Sequence, residues 1–185
     1  MDVLQSLGAE HRLIARVLDA FEDYVHRTEA RQEPDRDGLQ KFTDFFENFA
    51  HLHHHDKEEA LLLPALARAG LDWNGEPLAR IRVEHDQEQY LMRSLRHLAQ
   101  QTDAWAEDDR LHFLNVAKAF VQFHRQHMQF ENTHVYPHVD ALTELDRTRL
   151  SRDVRRFDDD AHASMARLTE LGYELAGALK SYATQ

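Results

Sequence analysis

The chain has 185 residues, 42% of them hydrophobic and 30% charged, which is material for one domain with a real core. A formal net charge of −11 argues against general binding to nucleic acid or to an anionic membrane. The absence of cysteine excludes disulfides, thiolate metal sites and cysteine nucleophiles, whereas fourteen histidines are an excess that needs a reason.

The first residues lack a basic segment followed by a continuous apolar one, so no signal peptide is expected. No apolar run approaches the roughly 18 residues of a membrane span. Together these place the protein, by expectation, in the cytoplasm.

From Val3 to about Thr28, Leu4, Leu7, His11, Ile14, Leu18, Phe21 and Val25 recur in steps of three and four. That is the stripe of an amphipathic helix, with His11 in its middle. The polar run 31–38 contains Pro34 and Gly38 and predicts a loop. A second helix is predicted over Leu39 to Arg68, with Pro64 set to kink its last turns and Gly70 to cap it. The third, about Glu76 to Gln101, carries Leu78, Ile81, His85, Met92 and Leu95 on one stripe, again with a central histidine. The fourth, about Asp108 to Thr143, directs Val116, Phe120, Phe123, His127 and Val135 to the same interior. After Asp146 one or two further helices are expected, with a break near Asp158–Asp160.

One segment is written twice. His54 and Glu58 lie four residues apart in H-L-H-H-H-D-K-E-E-A-L-L-L-P, and His127 and Glu131 repeat the spacing in H-R-Q-H-M-Q-F-E-N-T-H-V-Y-P. In both copies a histidine stands three residues before the motif (His51, His124) and a proline six residues after the glutamate (Pro64, Pro137). His11 and His85 precede their motifs by nearly equal intervals. Each half therefore reads as a helical hairpin, and two hairpins pack as an all-α, antiparallel up-down-up-down four-helix bundle with short loops. The domain reading is a bundle over 1–145 and a helical extension over 146–185 packed on it.

On a helix, residues four apart share a face. The four stripes then bring His11, His54, Glu58, His85, His127 and Glu131 into one apolar interior. Taken singly, a histidine on an apolar stripe is more simply a core residue with a local hydrogen bond. Two carboxylates and four imidazoles duplicated in register argue instead for bound cations, because buried charge is costly unless paired or coordinated. Nitrogen and oxygen donors with two carboxylates able to bridge suit iron or manganese, and zinc is compatible. His53 and His55 flank the stripe and are expected to face solvent, as are Glu10 and Glu84. His51 and His124 fit equally well behind the ligands or at the rim.

The order His11, His54-x-x-x-Glu58, His85, His127-x-x-x-Glu131 resembles the hemerythrin-like, or HHE cation-binding, domain over about residues 3 to 140. The resemblance implies a four-helix bundle around two iron ions, bridged by Glu58, Glu131 and an oxo or hydroxo group. By the same implication His11 and His54 serve one iron, and His85 and His127 the other. Two departures stand out. Oxygen-carrying hemerythrins have a further histidine four residues after the third-helix ligand, where this chain has Gln89. They also end on an aspartate five residues after the fourth-helix histidine, where this chain has a glutamate at four. Gln89 is expected to face the metal held by His85 and His127 and to leave a position open, unless Glu88 fills it.

The function expected from this is a di-iron protein that binds or reduces dioxygen, peroxide or nitric oxide, with peroxide consumption as the enzymatic form. The alternative is an iron-handling module, or an oxygen or redox sensor, acting through a protein partner. A ferritin-like oxidase fits less well, since that class favours more carboxylates and Glu-x-x-His spacing.

Overall fold

A computed structural model describes residues 3–31 and 35–182. It is all-helical, with no strand among the described residues. Helix α1 spans Val3–Arg31. A long rod follows, built as α2 (Arg36–Phe45), wide π-helical turns over Phe46–His55 and Glu58–Leu62, and α3 (Leu63–Arg68). Helices α4 (Leu78–Gln100) and α5 (Glu107–Phe130) come next; α5 continues as a π turn, Glu131–Val135, and a 3-10 turn, Tyr136–Ala141. Two more helices close the chain, α6 (Glu144–Asp160) and α7 (His162–Tyr182), which meet at Ala161 close to the expected break.

The expected loop at 31–38 is shorter than its composition suggests, and residues 32–34 lie outside the described residues. Asp35 is the reason, since its side chain accepts a 3.1 Å hydrogen bond from the Gly38 N–H and starts α2 there, leaving Gly38 inside the helix. At the other end of the rod Gly70, with φ of 111°, terminates α3 as its position predicts. The Leu71 N–H reaches back to the Leu66 carbonyl at 3.2 Å and satisfies one of the last open acceptors.

Proline marks both repeats in the same way. A proline has no N–H, and its ring displaces the carbonyl four residues back. In each copy the residue before it donates to the carbonyl of the motif glutamate, five residues earlier: Leu63 to Glu58 and Tyr136 to Glu131. The expected disturbance at Pro64 is thus a wide turn that begins on Glu58, and Pro137 repeats it on Glu131.

The apolar core is divided in two. One cluster holds Ile14 and Phe21 of α1, Phe42 and Phe46 of the rod, Met92 and Leu95 of α4, and Phe113 and Phe120 of α5. The other holds Val3 and Leu7, Leu62 and Leu66, Leu78 and Ile81, and Val135 and Val139, with Leu150 and Val154 of α6. On α1, the rod and α4 the histidines and glutamates of the repeats lie between these clusters along the chain, and on α5 they fall where the two clusters meet, around Met128 and Phe130. Helix α7 packs on α1 and the rod. Gly172 allows a close approach there, for a Cβ at that position would stand 2.6 Å from Phe45 Cε2.

Candidate metal centre

The six residues singled out in the repeat are brought together, none more than 6% exposed. His11 comes from α1, His54 and Glu58 from the rod, His85 from α4, His127 from the last turn of α5, and Glu131 from the π turn that follows it. His11 Nε2 lies 2.9 Å from His54 Nε2 and 3.0 Å from Glu131 Oε2. On the other side His127 Nε2 lies 2.9 Å from Glu131 Oε1, and His85 Nε2 lies 3.4 Å from Glu58 Oε2 and 3.6 Å from Glu131 Oε1. Both oxygens of Glu131 therefore stand between two histidine pairs.

Several of these close approaches lack the angles of hydrogen bonds. Glu58 Oε2, both oxygens of Glu131, His85 Nε2 and His127 Nε2 are buried without a hydrogen-bond partner among the described residues. Lone pairs that converge and are not bonded to one another are what a cation requires. Two imidazoles on one ion place their ring centroids roughly 4.5 to 6.5 Å apart at different tilts, given metal–nitrogen bonds near 2.1 Å. His11 and His54 are 4.6 Å apart at 60°, and His85 and His127 are 4.9 Å apart at 73°. The donor set fits two neighbouring cations.

Charge points the same way. Burial disfavours the charged form of His127, yet Glu131 and Glu84 outweigh it and hold the imidazole up to about 10. Burial likewise opposes charge on His85 and His11, and again the carboxylates win, with Glu131 and Glu58 raising both. Burial would raise the Glu131 carboxyl, but His127, His11 and His85 hold it well below its usual range. The site thus gathers positive charge as protons, and a dication supplies the same charge once those protons leave.

Sequence reasoning placed Glu10 and Glu84 at the surface, and the structure corrects this. Glu10 Oε2 is 2.9 Å from His54 Nδ1, and Glu84 Oε2 is 2.9 Å from His127 Nδ1. Glu59, half-exposed, takes the same place at His85 Nδ1, 2.6 Å away. A carboxylate on Nδ1–H fixes the tautomer that leaves Nε2 free to ligate. A residue one step from a ligand turns about 100° off its face, but its side chain reaches sideways to the neighbouring helix. The signal was present as Glu-His in both halves.

His53 and His55 are also corrected, for both are buried rather than solvent-facing. The π turns alter the angle between successive residues, and the rod is covered on more than one side. His53 lies against Glu10 and against Asp158 of α6, at 3.5 and 3.3 Å. Lys57, 1% exposed, joins that group through Glu10 and through Asp158 at 2.6 Å. A cleft of about 400 Å³ between α1, the rod and the last two helices reaches Glu10 and His53 but not the enclosed ligand atoms.

A family profile for the hemerythrin HHE cation-binding domain matches residues 2–139. The chain belongs to that family. No curated protein and no solved structure matches it. The HHE match ends just beyond the second repeat, so the segment that supplies Asp158 lies past the matched residues.

Gln89 does not take the place expected of it. Its Nε2 lies 2.8 Å from His51 Nε2, while Glu88 is the side chain turned inward, 2.8 Å from His124 Nδ1. Tyr136, which sequence reasoning passed over, donates a 2.7 Å hydrogen bond to Glu58 Oε1 and stands 3.1 Å from His11 Nε2. Its counterpart in the first repeat is Leu63. That asymmetry between the HHE copies was the one sequence signal for it.

Proposed function

We propose that this HHE protein holds two iron ions and uses them to bind or reduce dioxygen, peroxide or nitric oxide. His11 and His54 would hold one ion, His85 and His127 the other, and Glu58 and Glu131 would bridge them. The observation that carries this is Glu131, whose two oxygens stand 3.0 Å from His11 Nε2 and 2.9 Å from His127 Nε2. An antiparallel four-helix bundle belongs to the same reading. It is supported by the alternating order in which α1, the rod, α4 and α5 pass through the two apolar clusters.

When bound, an iron pair supplies two electrons to a small oxidant. The chain's own residues do the rest. Glu10, Glu84 and Glu59 orient three of the imidazoles through their Nδ1–H groups. The Phe and Leu side chains at either end keep bulk water out, and the near-complete burial restricts entry to molecules of a few atoms. Tyr136 keeps a proton on its oxygen, since burial above all, with the Glu58 and Glu131 charges, pushes the phenol well above its ordinary value. That hydroxyl stays a neutral hydrogen-bond donor beside Glu58 and His11, where it would orient a small molecule bound at the centre.

The experiment is iron loading followed by peroxide turnover and azide or nitric oxide binding, in wild type, His54→Ala and His127→Ala. A magnetically coupled ferric pair should be present in wild type and lost in both variants, with peroxide consumption falling alongside it. Absence of a coupled pair in wild type would overturn the di-iron reading. A pair that binds nitric oxide without consuming peroxide would favour the sensor alternative.

A further inference from the structure

Beside the residues assigned to the ion pair lies a second set of donors. His55, Glu88 and His124 come from the rod, α4 and α5, and are 1%, 3% and 0% exposed. One donor atom from each lies within 4.8 Å of the others. Neither nitrogen of His55, neither nitrogen of His124, nor Oε2 of Glu88 has a hydrogen-bond partner among the described residues. His124 Nδ1 approaches Glu88 Oε1 to 2.8 Å without the angle of a hydrogen bond, and His55 Nε2 lies 4.0 Å from Glu88 Oε2. Leaving so many buried donors and acceptors unsatisfied is costly, because each has given up its hydrogen bonds to water.

His55 could instead be a third imidazole on the ion assigned to His85 and His127, with which it also clusters. Ring geometry rejects this. His55 and His85 are stacked, with centroids 4.0 Å apart and planes inclined by 14°. Lone pairs of an imidazole lie in its ring plane, so those of two nearly parallel stacked rings do not meet at one ion. His55 and His124, in contrast, have centroids 6.0 Å apart at 32°, inside the span that two imidazoles on one ion occupy.

We infer that His55, Glu88 and His124 form a third metal site, a two-histidine, one-carboxylate set for a first-row divalent cation. Three protein donors leave coordination positions for water or a small ligand. The rings of Phe46 and Phe120 pack on His124 and keep that side apolar. A crevice of about 100 Å³, lined by Phe46, Glu47, His51, Glu88, Gln89 and Arg96 among others, reaches Glu88. The site is therefore entered separately from the enclosed pair. The contact between His51 and Gln89 belongs to the wall of this entry.

The test is to titrate metal-free protein with cobalt(II), desalt it, and count cobalt per chain alongside its visible absorption. Wild type should retain one ion more than the pair. Glu88→Gln, nearly isosteric, and His124→Leu should each lose that one ion and its share of the absorption, with far-UV circular dichroism confirming that both remain folded. His54→Ala serves as the control that reports on the pair. Wild type stopping at two ions, or both variants retaining the wild-type count, would overturn the third site. Loss confined to His54→Ala also overturns it, while leaving the pair intact. Loss of one ion in the Glu88 and His124 variants upholds it, even if no coupled iron pair forms.

Discussion

Glu10 accepts a 2.9 Å hydrogen bond from His54 Nδ1, although the two residues belong to different helices. The pairing holds one imidazole so that its Nε2 faces the cluster, and Glu84 does the same for His127 from α4. Glu10→Gln and Glu84→Gln keep the shape but remove the charge. Each is expected to weaken metal binding by about 10–100-fold, the usual effect of losing such a partner. Competition with a chelator of known affinity measures it. Unchanged affinity in both variants would mean the carboxylates do not orient the ligands.

Tyr136 is the hydroxyl that satisfies Glu58. Tyr136→Phe leaves Glu58 Oε1 buried without its donor, which should destabilise the metal-free protein by about 1–3 kcal/mol. Urea denaturation of both forms reads this directly. Iron-loaded Tyr136→Phe should also consume peroxide more slowly, because the nearest buried hydroxyl is gone. A variant of equal stability and equal turnover would remove Tyr136 from the site.

Protonation of the metal-free site gives a pH profile. His127 is raised from 6.5 to about 10 because Glu131 and Glu84 together exceed the opposing burial. A raised folded-state value adds stability that is complete below pH 6.5 and lost as pH rises towards 10. His85 and His11 act with the same sign. Glu131 is held well below 4.5, so its contribution is present above that value and lost as pH falls towards its folded-state value. Below pH 6.5 the buried His55, which burial holds well below its ordinary value, opposes this gain, so the expectation is confined to higher pH: the metal-free protein should weaken from pH 6.5 towards pH 10. Metal binding should strengthen over the same rise, since protons must leave the imidazoles first. Denaturation midpoints of the metal-free protein across pH decide it. Stability that increases from pH 6.5 to 10 would contradict the assignment.

Gly172 tests how α7 is docked. A Cβ at that position would stand 2.6 Å from Phe45 Cε2 and 3.2 Å from both terminal carbons of Leu13. Phe45 is fully buried and has nowhere to swing, so Gly172→Ala should cost about 1–3 kcal/mol through overpacking. On an exposed helix face the same change would stabilise by up to about 1 kcal/mol. The sign of the shift in a urea midpoint distinguishes the two.

The sequence by itself determined the family, the helical class and the six residues of the repeat. Its signals were local: residues four apart share a helix face, and His11 and His85 sit on stripes whose apolar neighbours must turn inward. What the tertiary structure decided was everything that depends on a neighbour or on a departure from ideal helix geometry. His53 and His55 looked exposed at a constant turn per residue, but the π turns change that angle, and α6 on one side with α4 and α5 on the other bury both. Glu10, Glu59 and Glu84 reach their imidazoles across helix contacts, which no spacing within one helix encodes. Glu88, not Gln89, turns inward, and only its approach to His124 of α5 reveals what it meets there. Pro137 marks the wide turn on Glu131 in the sequence, but that the Tyr136 hydroxyl meets Glu58 of the rod depends on how the two helices pack.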